Sequence, residues 1–327
     1  MLTLFVACAS PYAATDPPAT VTPGKDGGPE ASLPEGGTDS GAPDSEAPDG
    51  AVPKGCSPSS KFGTPMRIEG AISGADEDSD AKVSEDELGI SFTSDRGTTP
   101  KKNRIYTATR ASTATPWAMA TMMLESNDVL FDANVAPSAL HVVYQRGGKT
   151  SGARLVVGRR ATTNEGFSEK ELGFTRTVGQ DERDPFVVFG TIDAAAYTIL
   201  YSQNGATAAR DLYLASIDAN DTVVGTSAMN ELNTSSNERD PVVSKDGLEI
   251  FFASDRAQSG VMRIFHAVRG PGGSKAFANV EPVAELTVTS ATNVYEAPTW
   301  ISANRCVLYF SSDRNGTTDV WRAVRSP

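Results

Sequence analysis

Ile90-Ser91-Phe92-Thr93-Ser94-Asp95-Arg96, Ile250-Phe251-Phe252-Ala253-Ser254-Asp255-Arg256 and Leu308-Tyr309-Phe310-Ser311-Ser312-Asp313-Arg314 are three versions of one phrase. Each runs from an apolar, β-prone stretch into Ser-Asp-Arg. A Gly-containing turn follows, then a second strand-like run: Arg104–Arg110, Arg263–Arg269 and Asp319–Arg325. Recurrence at this scale decides the architecture before any other feature does.

The repeat extends upstream. Asn237-Glu238-Arg239-Asp240-Pro241-Val242-Val243-Ser244-Lys245-Asp246-Gly247-Leu248 opens the copy around Ile250, and Gln180-Asp181-Glu182-Arg183-Asp184-Pro185 repeats its first part. Asp80–Leu88 opens an earlier copy and Val294–Trp300 the last one. A weaker copy starts near Asn134-Val135-Ala136-Pro137. This makes five copies, each with three or four short β-rich runs punctuated by Gly, Asn, Asp and Pro. Four strands per repeat of this length is the signature of a propeller blade. No stretch carries a sustained 3.6-residue apolar period, so almost no helix is expected. The fold class is all-β, a five-bladed β-propeller.

The last copy stops after its third strand, whereas another carries an outer run, Val280–Leu286. Lys61–Ile68 has that outer-strand character and precedes the first copy. It is expected to complete the last blade and close the ring, covering an exposed edge. Closure would bring Cys56 toward the blade that holds Cys306, and a disulfide between them is expected.

Asp-Pro, a Ser-x-Asp-Gly turn, an aromatic strand and Ser-Asp-Arg recur together, and in this the chain resembles the TolB-type, WD40-like β-propeller repeat. The resemblance covers residues 61–327 and is strongest in copies one, four and five; copies two and three lack Ser-Asp-Arg. It implies the fold, a periplasmic setting, and a channel mouth that serves as a partner surface.

The 327 residues carry a formal net charge of −12. Half of that charge and half of the 20 prolines lie in the first 60 residues. Residues 9–60 are Pro-, Gly- and Asp-rich with little to bury, so a disordered linker is expected. In residues 1–8, Phe5-Val6-Ala7-Cys8 resembles a bacterial lipoprotein box, with Cys8 as the lipidation site. Membrane contact is expected only through that anchor. An acidic chain without a Lys/Arg run has no general attraction for nucleic acid. The expected setting is the bacterial cell envelope, facing the periplasm or the surface, and the expected state is a monomer.

Chemistry is harder to read. Asp95, Arg96, Asp255, Arg256, Asp313 and Arg314 recur once per blade, which marks them as structural turns. Glu182, Arg183, Asp184, Glu238, Arg239, Asp240 and Glu296 stand where innermost strands begin, around the channel mouth. Glu77, Asp78, Asp80 and Asn134 occupy comparable places. The glutamates are the preferred binding candidates, because turn geometry does not need them. Such an acidic ring could hold a cation or a basic peptide. No metal ligand set is assigned and no cofactor is expected; calcium is the one ion considered.

No catalytic residue is assigned. There is no Gly-x-Ser-x-Gly elbow and no His-Glu-x-x-His, and the two histidines, His141 and His266, fall within predicted strands. The primary expectation is a tethered scaffold that binds an envelope protein or polysaccharide without catalysis. The alternative is a carboxylate-dependent enzyme acting on polysaccharide, as in glycosidase propellers.

Overall fold

The computed structural model describes residues 55–97, 99–148, 152–188, 196–204, 209–270, 276–288 and 294–326. Cys8 and most of the expected linker lie outside them. Strand β1 (Met66–Arg67) comes first. Blade one is β2 (Asp78–Val83), β3 (Gly89–Ser94), β4 (Arg104–Thr109) and β5 (Thr121–Leu124). Blade two is β6 (Leu130–Val135), β7 (His141–Arg146), β8 (Arg154–Arg159) and β9 (Ser168–Glu171). Blade three is β10 (Glu182–Val187), β11 (Tyr197–Asn204), β12 (Arg210–Ile217) and β13 (Val223–Ala228). Blade four is β14 (Glu238–Val243), β15 (Glu249–Ser254), β16 (Arg263–Val268) and β17 (Ala278–Pro282). Blade five holds β18 (Glu296–Ile301), β19 (Val307–Ser312) and β20 (Asp319–Val324).

All five sheets are four-stranded and antiparallel; the fifth has the order β1-β20-β19-β18. The chain is therefore a five-bladed propeller, and one 3₁₀ turn, Ala284–Leu286, is the helical element among the described residues. Copies two and three are full blades although their repeat is degenerate. Their strands keep the buried aliphatic and aromatic residues, such as Val142, Tyr144, Ile199 and Tyr201, that sheet packing requires.

Closure is narrower than the sequence suggests. Only Met66 and Arg67 pair with β20 as strand, beside an isolated Phe62–Arg325 bridge. Other contacts carry the junction. Phe62 packs edge-on against Phe251 at 6.0 Å and lies under the Arg325 guanidinium at 4.9 Å. Arg325 forms a bidentate pair with buried Glu249, at 2.8 and 2.5 Å, and His266 Nε2 approaches the same carboxylate at 2.8 Å. Cys56 and Cys306 form a disulfide. Residues 55–60, assigned to the linker by composition, are docked on blade five: Cys56 is fully buried and its N–H donates to Asn304 O.

Candidate functional site

Innermost strands open with a shared four-residue pattern. The first position holds Asp78, Glu182, Glu238 and Glu296, all fully buried, with Leu130 in blade two. A carboxylate in such a place needs a partner. Arg96 reaches Asp78 at 2.6 Å, Arg256 reaches Glu238 at 3.0 Å and Arg314 reaches Glu296 at 2.9 Å. In each pair the arginine lies 18 residues after the acid.

These arginines belong to Ser-Asp-Arg. Each also bonds the serine Oγ, at 2.8, 3.1 and 3.0 Å. Each lies over two rings: Phe92 and Tyr106, Phe252 and Phe265, Phe310 and Trp321. Asp95, Asp255 and Asp313 accept the backbone N–H of Glu77, Asn237 and Tyr295, at 3.1, 2.8 and 2.8 Å. The motif is a clasp that ties strand two of a blade to the start of strand one. Blade three uses Arg176 on Glu182 instead, at 2.7 Å.

This corrects the reading of the glutamates. Glu182, Glu238 and Glu296 do not line the channel mouth; they are buried anchors beneath arginines. Simple alternation would put positions one and three on one face. Instead the register shifts inside every innermost strand, between Ser79 and Lys82, Phe131 and Asn134, Arg183 and Phe186, Arg239 and Val242, and Pro298 and Trp300. These bulges re-aim the third residue. The constant spacing of 18 between acid and arginine was the available signal.

At position three stand Asp80, Asp132, Asp184 and Asp240, with φ of 55°, 53°, 54° and 51°. Asp is among the few non-glycine residues that tolerate this left-handed region. Blade five has Pro298 there. Pro185 and Pro241 follow inside bulges, where a missing N–H forfeits no ladder bond.

The four aspartates line one axial cavity of about 280 Å³, together with Ser79, Phe131, Gln145, Arg183, Arg239 and Tyr295. One oxygen each from Asp132, Asp184 and Asp240 lies within 4.8 Å of the others. Arg239 approaches Asp184 at 3.3 Å and Lys82 approaches Asp132 at 3.5 Å. Ser202 donates to Asp184 at 2.5 Å, and the Tyr295 hydroxyl donates to Asp240 at 2.9 Å. Neighbouring blades are stitched at this level: Asp80 N–H donates to Ser311 Oγ at 2.9 Å and Asp184 N–H to Gln145 Oε1 at 3.2 Å. Asn134 joins blade two to blade three through Pro185 O and Val187 N–H, at 2.7 and 3.1 Å. The hairpin turns at the other ends of the innermost strands are bridged by Lys245 and Glu85, at 2.6 Å.

Of the expected mouth residues, Arg183, Asp184, Arg239 and Asp240 do line the cavity, as do Glu77 and Asp80. Arg183 is held on Asp181 at 2.7 Å, and Arg210 binds the other oxygen of that carboxylate. Sequence reasoning missed Asp132, Lys82, Gln145 and Tyr295, which carry no repeated motif.

The carboxylates differ in charge state. Burial pushes Asp184 up, but Arg239, Arg210 and the Ser202 hydroxyl outweigh it and hold the group at about 2. Burial, with the Asp184 charge beside it, pushes Asp240 up to about 7. Burial and the Asp80 charge hold Asp132 well above the usual carboxylate range, and burial raises Asp80.

No family model matches the chain, and no curated protein matches it in sequence. Among solved structures, the GH43_1 enzyme from Xanthomonas citri complexed with xylotriose is similar with a TM-score of 0.53 at 11% identity, over 79% of this chain and 90% of that one. TolB from Acinetobacter baumannii is similar with a TM-score of 0.46 at 15% identity, over 78% of this chain and 56% of TolB. A family 117 glycoside hydrolase from Zobellia galactanivorans has a TM-score of 0.46 at 12% identity, over 81% of this chain and 90% of that one. At these identities the likeness is one of fold: TolB propellers and glycoside hydrolases both stand among the structural neighbours of this chain.

Proposed function

We propose that the protein is a binding propeller of the bacterial cell envelope that captures a cationic group of a partner, such as a lysine or arginine side chain of an envelope protein, in its axial cavity. The observation that carries this reading is the convergence of aspartates from four blades in one cavity. Lys82 and Arg239 offset only part of that charge. An extra positive group would relieve the remaining repulsion. The Cys56–Cys306 disulfide supports an oxidising compartment. The lipoprotein-like Cys8 and a linker of about 50 residues would give a tether with reach on the order of 40 Å.

The competing reading is a carboxylate-dependent enzyme on polysaccharide. In its favour, Asp184 and Asp240 titrate far apart, as acid–base pairs do. Against it, oxygens of the Asp132, Asp184 and Asp240 trio lie within 4.8 Å of one another. Glycosidic cleavage uses carboxyl groups about 5–5.5 Å apart when retaining and about 6.5–9.5 Å apart when inverting. Oxygens this close can share one cation between them, which favours capture over hydrolysis.

Two results are expected. The full chain should retain a partner from envelope extract and bind a tri-lysine peptide. An Asp184→Asn/Asp240→Asn variant should lose both, with peptide affinity down at least about tenfold, one lost charge contact being on the order of 1.4 kcal/mol. Asn keeps the shape and tolerates the left-handed backbone. Undiminished binding by the folded variant would refute the assignment. Calcium is the competing occupant of the cluster, and EDTA should leave the melting temperature unchanged if the cavity instead takes a partner's cationic group. A fall on chelation that calcium restores would favour calcium.

A further inference from the structure

The cations around the cavity are unevenly shared. Arg239 turns from its own strand to Asp184, at 3.3 and 3.4 Å. Lys82 stands by Asp132, and Arg183 and Arg210 both attach to Asp181. Asp240 receives a neutral donor, the Tyr295 hydroxyl. It shares the cavity with Arg183 and Asp184 from β10, Arg239 from its own strand β14, Asp80 from β2, Asp132 from β6, and Tyr295 ahead of β18, while Lys82 of β2 reaches Asp132. Arg210 acts from β12 through Asp184. Buried carboxylates in such contact cannot all ionise, so they share protons as one coupled group.

We propose that the cavity holds an exchangeable proton on Asp240 and its neighbouring carboxylates, in the place a ligand's cation would take, and that binding a cation expels it. The capture half of this rests on the binding reading above. The step balances simply. A carboxylic acid O–H breaks, the proton leaves to water, and the resulting carboxylate pairs with the incoming ammonium or guanidinium. Ligand affinity is then set by pH, and acidification releases the partner.

The direction in pH follows from Asp240 keeping its proton to a higher pH in the folded state than in the unfolded chain. An unfolded Asp titrates at about 3.9. Asp240 in the folded protein titrates at about 7. Its contribution to stability is full below the unfolded value and is lost as pH rises through the folded one. The Asp240→Asn substitution keeps the side-chain shape and removes that loss.

The experiment uses the full chain with ¹³C-labelled aspartate carboxyls, titrated by NMR from pH 4 to 9, beside Asp240→Asn. A carboxyl resonance with a midpoint above about 6, lost in Asp240→Asn, is the expected result; ordinary carboxylates titrate near 4. The second arm adds tri-lysine by calorimetry in two buffers of different ionisation enthalpy at pH 6. Proton release is expected, with affinity rising up to about tenfold per pH unit below 7. If every aspartate titrates below about pH 5, the held proton is refuted. Binding without proton release refutes the exchange. If tri-lysine fails to bind at any pH while the high-titrating resonance persists, the capture reading and its exchange both fall, and the held proton alone survives.

Discussion

Replacing Glu238 with alanine is expected to destabilise the propeller by about 3–5 kcal/mol, because it leaves a guanidinium buried without its counter-charge. The Glu238 carboxylate is fully buried and accepts from Arg256 Nη2 at 3.0 Å, Ser254 Oγ at 2.9 Å, Thr234 Oγ1 at 2.8 Å and Thr234 N–H at 2.9 Å. Removing it takes the acceptor from Ser254 Oγ, Thr234 Oγ1 and the Thr234 N–H and leaves Arg256, stacked on Phe252 and Phe265, with Leu232 O and Ser254 Oγ but no counter-charge. The same change at Glu281, an exposed residue of β17, should stay within about 0.5 kcal/mol. Thermal melts should show a loss on the order of 10 °C for Glu238→Ala. Glu238→Gln keeps the shape and should lose less, so it serves if the alanine variant does not fold. Equal melting of Glu238→Ala and Glu281→Ala would refute the clasp. A glutamate that merely faced the channel mouth would behave like Glu281.

The repeat made the fold legible because Ser-Asp-Arg is a structural device. In blades one, four and five it clasps an acid at the start of the innermost strand, and in blade three Arg176 takes over that task. Blade two confirms this from the opposite direction. Leu130 replaces the acid there, and Arg146-Gly147-Gly148 stands where the other copies carry Ser-Asp-Arg. Acid and clasp are absent together, so the motif faded while the blade persisted. The cavity was legible in part. Asp184 and Asp240 announce themselves through Asp-Pro and Asp80 stands at a matching place, but Asp132 opens a degenerate copy. What unites the four is a left-handed residue at a bulge, a backbone property that strand alternation cannot reveal. The same bulge explains why the neighbouring glutamates were assigned to the wrong face.

Loss of the Cys56–Cys306 bond, by the Cys56→Ser/Cys306→Ser double variant, is expected to cost about 2–5 kcal/mol. The bond spans 250 residues of chain, so nearly the whole ring lies inside the loop it closes. For so long a loop the chain-entropy model gives about 5 kcal/mol. Two features of the closure decide how the loss is felt. Strand β1 contributes two paired residues, which is little to hold an outer strand. The remaining anchor is substantial: Phe62 N–H donates to Glu285 at 2.9 Å, and Arg325 bridges Glu249, Arg305 O and the Phe62 ring. The variant should therefore fold but open at one seam. Limited proteolysis should cut first around residues 55–67, with blades one to four resistant at the same protease dose. Because Cys56 is fully buried, added reductant should act slowly on the wild type, and the serine variant is the cleaner test. A melting temperature within about 1 °C of wild type, with no new cleavage near residue 60, would mean that the Arg325–Glu249 pair and the Phe62 contact hold the ring unaided. The disulfide would then serve to fix the tail on blade five, while propeller stability would rest on the closing ion pair.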